Sequence, residues 1–261
     1  MSDGSLEVDL STLGGIAFAI PAYDGKVVVE QLAAVYHAGM KLNSMGVKSA
    51  VIYEKGNALV DYSRNRLVAK FLKDSTAQKL VFLDSDIKFK WEDLERLLVF
   101  SSKYPIVCGT YPAKKEPTKF FINPVYTDGG KLVINEYGLL SITGCGAGFM
   151  IIDRSVFLRM EANSKKFSVD EDIITQYFYN KVEGTDFYGE DVCFLHRWVT
   201  EFGGEVWLDP GIDLIHIGNK DYDAKFSGFF PDFIRQAEEN KAKEIALRSS
   251  PNGSVATTKE I

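Results

Sequence analysis

The sequence has little cysteine, and its three cysteines form no recognisable pattern. Cys108, Cys145 and Cys193 are odd in number and widely spaced, and no two of them make a C-x-x-C pair. A disulfide framework or a zinc knuckle needs paired or closely spaced cysteines. We therefore expect reduced thiols, as in a cytosolic protein.

Long apolar runs are also missing. No run approaches the ~20 apolar residues that a membrane-spanning helix needs. The N-terminal stretch MSDGSLEVDLSTLGG is acidic and polar, which is not the pattern of a secretory signal peptide. We expect a protein without a membrane span, in the cytoplasm of a bacterium or of a virus-infected host cell.

Positive charge is not in excess. The 30 lysines and arginines stand against 36 aspartates and glutamates, which leaves a net charge of −6 at pH 7. Domains that hold nucleic acid by charge alone are usually basic. The balance argues against such a domain, although it does not exclude a local basic patch.

The N-terminal half alternates strand and helix patterns. The 261 residues, 46% of them hydrophobic, suffice for one large domain or two small ones. We expect strands over 16–20, 47–53, 79–83 and 106–109, and helices over 27–45, 61–73 and 91–100. Pro21 is expected to end the first strand, and Gly46 to cap the first helix. The alternation predicts an α/β fold with a mostly parallel sheet flanked by helices.

The C-terminal half predicts a smaller, antiparallel part. We expect a hairpin of 120–126 and 132–137 joined through Asp128-Gly129-Gly130, a strand over 141–153, a helix over 189–202, short strands over 206–208 and 214–217, and a terminal helix over 231–248. The expected organisation is a flexible tail over 1–13, one domain over 14–235, and a helix end with a disordered tail over 236–261.

The stretch L-V-F-L-D-S-D-I, starting at Leu80, ends an apolar strand in two carboxylates. Asp84 and Asp86 repel each other and need a cation, a helix N-terminus or open water nearby. Ligands of parallel α/β sheets bind beyond the carboxyl ends of the strands, where this pair lies. A divalent cation would accept both carboxylates and leave positions open for a substrate phosphate.

Two other interpretations of these motifs fail. The D-x-D-x-T/V pattern of aspartyl phosphatases does not fit, because Lys88 stands four residues after Asp84 and a whole βαβ unit precedes the motif. The G-C-G-A-G stretch at 144–148 leads into strand-like residues, whereas a dinucleotide-binding glycine loop opens a helix. Glycines there instead allow a ligand to approach the backbone closely.

Several motifs together resemble one family. I-P-A-Y-D ends the first strand, D-Y-S-R-N opens the second helix, and D-S-D and Y-G-E-D follow. In this order they resemble the metal-dependent GT-A-fold glycosyltransferases, in particular family-2-like and viral-type nucleotide-sugar transferases. The resemblance covers residues 15–230 and implies a GT-A-like, Rossmann-type fold with an antiparallel acceptor-side part.

The resemblance implies a set of donor contacts. Pro21, Ala22 and Tyr23 would lie over the base and ribose, with Tyr23 offering a stacking face. Arg64 would lie near the base and phosphates, although an exposed arginine at a helix start is the ordinary interpretation. Gly146 would belong to the loop beneath the sugar and the acceptor.

The resemblance also implies a metal site. Asp86 would bind the ion directly, Asp84 would contact ribose or a metal-bound water, and Ser85 lies between them in the donor loop. His216, in L-I-H-I-G, takes the place of a family metal ligand, although a histidine between apolar residues is ordinarily a core residue. Two carboxylates and an imidazole suit Mn²⁺ better than Mg²⁺.

The E-D pair takes the place of the family's catalytic base. Asp191 would deprotonate the acceptor hydroxyl, and Glu190 would contact the acceptor or orient the loop. Acidic residues are also common in the first turn of any helix. Residues 218–228 resemble the loop that closes over bound donor. Lys114 and Lys115 would contact phosphate or acceptor, or simply be solvated.

The implied activity is an inverting transfer from a UDP- or GDP-linked sugar to an acceptor hydroxyl. The acceptor is a glycan, a protein or a modified nucleobase. Two alternatives stay open: a phage-type glycosyltransferase that acts on hydroxymethylpyrimidines in DNA, and a nucleotide-sugar-binding module without catalysis. Nothing in the sequence predicts the oligomeric state.

Overall fold

Strands and helices alternate along the computed structural model, which describes residue 6 and residues 8–248. The strands are β1 (Ile16–Ala22), β2 (Ser49–Lys55), β3 (Lys79–Leu83), β4 (Ile87–Lys88), β5 (Ile106–Cys108), β6 (Ile122–Pro124), β7 (Leu140–Cys145), β8 (Phe149–Asp153), β9 (Lys166–Val169), β10 (Asp172–Thr175), β11 (Lys181–Glu183), β12 (Asp186–Tyr188), β13 (Trp207–Leu208), β14 (Ile215–Ile217) and β15 (Asp221–Tyr222). The helices are α1 (Val29–Ser44), α2 (Val60–Asp74), α3 (Trp91–Ser101), α4 (Arg154–Glu161), α5 (Glu190–Phe202) and α6 (Phe226–Arg248).

One large sheet runs through the middle of the fold, in the order β2-β1-β3-β8-β5-β13-β7-β6. β1 lies parallel to β2 and β3, whereas β8 is antiparallel to both β3 and β5. β7 is antiparallel to β13 and β6, so all strands of this sheet except β7 and β8 point the same way. Small antiparallel sheets lie beside it. One pairs β9 with β10, one pairs β11 with β12, and another has the order β15-β14-β4. The predicted α/β fold, with a mostly parallel sheet and smaller antiparallel parts, is confirmed.

The core lies on both faces of this sheet. Successive residues of β3 point to opposite faces, so Phe82 packs with α2, α4 and α5 while Val81 packs with α1 and α3. All five residues of β3 are buried. Covering both faces removes water from the sheet, and each large apolar side chain buried in this way contributes about 1.5–3 kcal/mol.

The single strand predicted over 141–153 is wrong. β7 ends at Cys145, β8 begins at Phe149, and Gly146 to Gly148 form a turn between them. The two strands lie apart in the sheet, since β8 pairs with β3 and β5 while β7 pairs with β13 and β6. The apolar pattern continues through both strands because both are buried, so it could not reveal the turn.

The hairpin predicted from 120–126 and 132–137 forms, but its paired part is short, with 125–127 against 131–133. Gly130 donates a backbone hydrogen bond to Thr127, and single bridges join Tyr126 to Leu132 and Ile134 to Leu140. The strand β6 pairs instead with β7, which belongs to the large sheet. Residues 122–124 therefore pair with β7 and not with residues 132–137.

Three predicted boundaries also shift. Pro21 does not end β1, which continues to Ala22 because its pairing with β3 stops at Ala19 and the proline has a strand on one side only. Residues 10–13, which fall in the expected tail, form a 3-10 helix with Leu10 and Leu13 buried. The terminal helix begins at Phe226, before Pro231.

The three cysteines are free thiols and are buried. No helix of residues 6 and 8–248 is both long and apolar enough to cross a bilayer.

Candidate functional site

A buried arginine connects the two acidic motifs that the sequence analysis identified. Arg64 Nη2 donates to Asp84 Oδ1 at 2.9 Å, and Arg64 Nε donates to Glu190 Oε1 at 3.2 Å. The Arg64 side chain is only 3% exposed and lies on the ring of Phe82. Burial opposes the charge, but the two carboxylates outweigh it and raise the pKa of Arg64. The guanidinium is therefore a permanent cation between the two motifs.

Three elements bring these groups together. Asp84 follows the carboxyl end of β3, Arg64 lies in the second turn of α2, and Glu190 opens α5. Asn65 fixes α2 against the chain that leads to α5, since its Oδ1 accepts from the backbone N–H groups of Tyr177 and Phe178. The site therefore lies at the carboxyl edge of the parallel strands, where the sequence placed it.

Asp191 lies beside this network with an unusual acidity. Burial and the neighbouring charge of Glu190 raise the pKa of Asp191 to about 6, against the opposing effect of Arg64. Its Oδ1 accepts from the backbone N–H of Val192 at 2.7 Å, which fixes the carboxyl group at the start of α5. A carboxyl group with this pKa is mostly ionised at neutral pH and is a stronger base than an ordinary carboxylate, so it can accept a proton from a reacting hydroxyl.

Asp86 and His216 form a second pair at the same edge. His216 lies opposite Ile87 in the pairing of β14 with β4, so its ring reaches the preceding residue. His216 Nε2 lies 3.6 Å from Asp86 Oδ1, and Nδ1 lies 3.0 Å from the carbonyl oxygen of Pro112. Because a carbonyl can only accept, Nδ1 carries a proton and Nε2 is the atom that faces Asp86.

The pair has features of a metal site. A histidine that binds a metal through one nitrogen usually donates from the other to a carbonyl or carboxylate, as His216 does to Pro112. Two atoms that share one ion at about 2.1 Å each are at most roughly 4.2 Å apart, which accommodates the separation of the Asp86 and His216 atoms. Oxygen and imidazole ligands both suit Mn²⁺.

The third predicted ligand, Asp84, has one carboxylate oxygen bound to an arginine. Asp84 turns its carboxylate to Arg64, and no three histidine, cysteine, aspartate or glutamate side chains within residues 6 and 8–248 come together as a metal cluster. The chain thus offers a divalent cation two ligands, Asp86 and His216. That number fits an ion that completes its coordination with substrate phosphate and water.

Lys114 also contacts Asp86. Its Nζ lies 2.5 Å from Asp86 Oδ2, so this lysine is not simply solvated. Burial disfavours the Asp86 carboxylate, but the neighbouring His216 ring and the hydrogen bond from Lys114 outweigh burial and lower the pKa of Asp86 to about 2. Asp86 is therefore an anion at any pH at which the protein would work.

The glycines at 146 and 148 make room for two side chains of the site. A Cβ on Gly146 would collide with the hydroxyl of Tyr111, and one on Gly148 would lie 2.6 Å from Asp84 Oδ2. The backbone N–H of Gly148 donates to the Tyr111 hydroxyl at 3.1 Å. The close approach expected at these glycines is made by the protein's own side chains, and Gly146 lies under Tyr111.

The predicted donor loop lies beside the D-S-D loop. Pro21 and Ala22 end β1, and Tyr23 follows them with its side chain 64% exposed. The start of α1 is tied to the D-S-D loop, since the backbone N–H of Val28 donates to Ser85 O at 3.0 Å. The ring of Tyr23 is therefore accessible at the same edge as the acidic motifs.

The structure thus assembles most of the predicted residues at one edge, with one change of role. Arg64 is buried between carboxylates, so the geometry makes it a positioning residue for Asp84 and Glu190. Two residues were missed: Tyr111, whose ring packs edge-on against His216 at 5.0 Å, and Lys114 as a partner of Asp86. Both residues follow the carboxyl end of β5. The predicted direction of that strand could have placed them at the same edge of the sheet as the D-S-D motif.

Comparison with known proteins gives remote similarities. No family model and no curated protein matches the sequence. Among solved structures, A197 from STIV is 17% identical with a TM-score of 0.47, over 78% of this chain and 86% of that chain. GalNAc-T7, solved with UDP, GalNAc and Mn²⁺, is 11% identical with a TM-score of 0.48, over 79% of this chain and 44% of that chain. The inositol-1-phosphate CTP transferase from T. maritima is 16% identical with a TM-score of 0.37, over 75% of this chain and 86% of that chain.

The buried position of Arg64 generates a stability prediction. In Arg64→Met, Asp84 and Glu190 lose their shared cation, and removing one partner of a buried ion pair costs about 3–5 kcal/mol. We expect urea unfolding at neutral pH to show a loss of that order. Arg66→Met is the matched control, because Arg66 lies on the same helix as Arg64 and pairs with Glu54 of β2, which Lys70 would still bind. Equal losses in the two variants would contradict the central role of Arg64.

Proposed function

We propose that the chain is a GT-A-like glycosyltransferase that moves a sugar from a nucleoside diphosphate-sugar to an acceptor hydroxyl, with inversion. The observation that carries this proposal is the Arg64 bridge. It holds the D-S-D loop and the start of α5 in one site, although Asp84 and Glu190 are far apart in the sequence. In this proposal the D-S-D loop binds the donor, and the start of α5 beside it carries the proton acceptor.

The donor side of the site is built for a nucleoside diphosphate. Asp86 and His216 would hold a divalent cation, Mn²⁺ or Mg²⁺, which when bound would neutralise charge on the leaving diphosphate. The exposed ring of Tyr23 offers a stacking face for the base, and the backbone of Pro21 and Ala22 positions it. The nucleotide is UDP or GDP in this proposal.

The acceptor side is built for proton transfer. The ionised carboxylate of Asp191 takes the proton of the acceptor hydroxyl, whose oxygen attacks the anomeric carbon as the bond to the diphosphate oxygen breaks. The electron pair of that bond leaves with the diphosphate. Attack from the face opposite the leaving group inverts the anomeric centre. Glu190, held by Arg64, keeps the start of α5 in position.

The acceptor class follows less directly from the residues. A glycan, a protein or a hydroxymethylated DNA base each offers a hydroxyl to Asp191, and the net charge of −6 disfavours the DNA base. A binding module without catalysis would have no need of a carboxylate whose pKa lies near neutrality. Turnover of donor in the presence of Mn²⁺ separates the enzyme from the module.

Asp86→Ala tests the metal assignment. Loss of a group that only hydrogen-bonds to a metal ligand changes metal affinity by about 10–100-fold, so loss of Asp86 itself should weaken Mn²⁺ binding at least as much and abolish transfer. The thermal midpoint should change little, because the Asp86–Lys114 pair is about one-third exposed. Calorimetry with Mn²⁺ and release of nucleoside diphosphate are the measurements. Asp74→Ala, an exposed carboxylate at the end of α2, is the control. Full activity in Asp86→Ala, or in wild type with EDTA, would refute the assignment.

Asp191 gives a prediction on pH. A carboxyl base must be ionised to accept a proton. Burial and Glu190 raise the pKa of Asp191 to about 6, so kcat should rise between pH 5 and pH 7 with its midpoint at that pKa. Asp191→Asn should lower kcat on the order of 10²–10⁴ and remove this rise, with donor affinity within a few-fold of wild type.

The matched control for this variant is Asp186→Asn, an exposed carboxylate on β12 just before α5. It should keep both the rate and the pH profile. Near-normal turnover of Asp191→Asn would make Asp191 an ordinary helix-start carboxylate. Lost donor binding would place it in the donor site and leave the inverting mechanism without its base.

A further inference from the structure

Lys114 occupies a specific place beside the candidate metal ligands. The two oxygens of Asp86 face different partners: Oδ2 binds Lys114 Nζ at 2.5 Å, and Oδ1 faces His216 Nε2 at 3.6 Å. The carboxylate that would hold a divalent cation is thus already paired with a monovalent one. The side chains of Lys114 and Asp86 are 36% and 34% exposed, so solvent and ligands can reach the pair.

The stem of Lys114 is held between two segments. A Cβ on Gly218 would lie 3.2 Å from Lys114 Cδ, so the aliphatic stem passes over the turn between β14 and β15. The same two segments are joined by the ion pair of Lys220 with Glu116 at 2.7 Å and by the His216 bond to Pro112. The ammonium group is therefore directed at Asp86 by its surroundings.

We propose that Lys114 is the resident counter-cation of Asp86, and that it exchanges this carboxylate for the donor diphosphate when a divalent cation binds. The inference rests on the proposed function and adds a residue to it. Lys114 and a divalent cation at Asp86 and His216 would repel each other across a short distance. Because the stem of Lys114 stays against Gly218, the released ammonium group remains at the same edge of the sheet. There it would pair with the negatively charged diphosphate of the donor.

The neighbouring lysine provides a matched comparison. Lys115 Nζ lies 4.8 Å above the ring of Phe121 and makes no ion pair with a described residue. Lys115→Met removes the same charge one residue away without touching Asp86. A general effect of net charge would appear in both variants, whereas a specific exchange would appear only at Lys114.

The test measures binding, not turnover. Lys114→Met keeps an unbranched stem against Gly218 and removes the ammonium, and Lys114→Arg keeps the charge. Calorimetry titrates each full-length protein with Mn²⁺ alone, and then titrates UDP and GDP separately at saturating Mn²⁺. We expect Lys114→Met to bind Mn²⁺ about two- to fivefold tighter, as loss of an exposed competing pair allows. We expect it to bind the nucleoside diphosphate at least about tenfold more weakly, which is the loss of one charge-assisted contact.

The controls define what would overturn the proposal. Lys114→Arg should keep diphosphate affinity within about threefold of wild type, and Lys115→Met should change neither affinity by more than about twofold. Unchanged Mn²⁺ or diphosphate affinity in Lys114→Met, with normal melting, overturns the exchange while leaving the proposed function intact. Equal changes in Lys114→Met and Lys115→Met also overturn it. A wild-type protein that binds neither Mn²⁺ nor nucleotide overturns both proposals.

Discussion

The guanidinium of Arg64 is the interaction on which the geometry of the site depends. A charge that is buried without partners costs several kcal/mol, so this position is tenable only because Asp84 and Glu190 approach from two other elements. Arg64 Nη1 is also buried, and no described residue accepts from it. A buried donor without a partner lowers stability. Such a cost is expected where the position of the site's side chains matters more than the stability of the fold.

The raised pKa of Asp191 follows from its burial and from the charges that surround the Arg64 bridge. Arg64 brings one positive charge to a region that holds Asp84, Glu190 and Asp191, so the balance among these four side chains stays negative. Burial makes the charged form of the Asp191 carboxyl costly, and the charge of Glu190 adds to that cost, so both raise the pKa of Asp191 against the opposing effect of Arg64. The pKa of Asp191 is thus set by its surroundings, while Asp86, paired with Lys114 and His216, is fully ionised at neutral pH.

The sequence predicts what depends on local pattern and misses what depends on long-range pairing. β3 has the predicted bounds, and α5 starts within a residue of them, because an apolar run and an amphipathic pattern mark them. The division of 141–153 into β7 and β8 depends on which strands each pairs with, and no local pattern reports that. Lys114 was named as a candidate phosphate or acceptor contact, but its pairing with Asp86 was not predicted, because that contact depends on how the loop after β5 folds.

The site residues divide in the same way. Asp84, Asp86 and Asp191 could be identified because carboxylates at a strand end and a helix start form motifs. Their arrangement could not, because Arg64 reaches Glu190 only through the packing of α2 against the segment around Phe178. For Tyr111, only the direction of β5 could have indicated a place near the site. Its contact with Gly148 depends on the turn between β7 and β8, which was predicted as strand.

The central position of β8 has a consequence for synthesis of the chain. β3 and β5 are both made before β8, yet each pairs with it, so the middle of the sheet stays open until residue 153 has left the ribosome. During that interval the apolar residues of β3 border an unpaired edge, the kind of surface that associates with other chains. The nascent chain therefore passes through a stage in which β3 is paired with β1 on one side and open on the other.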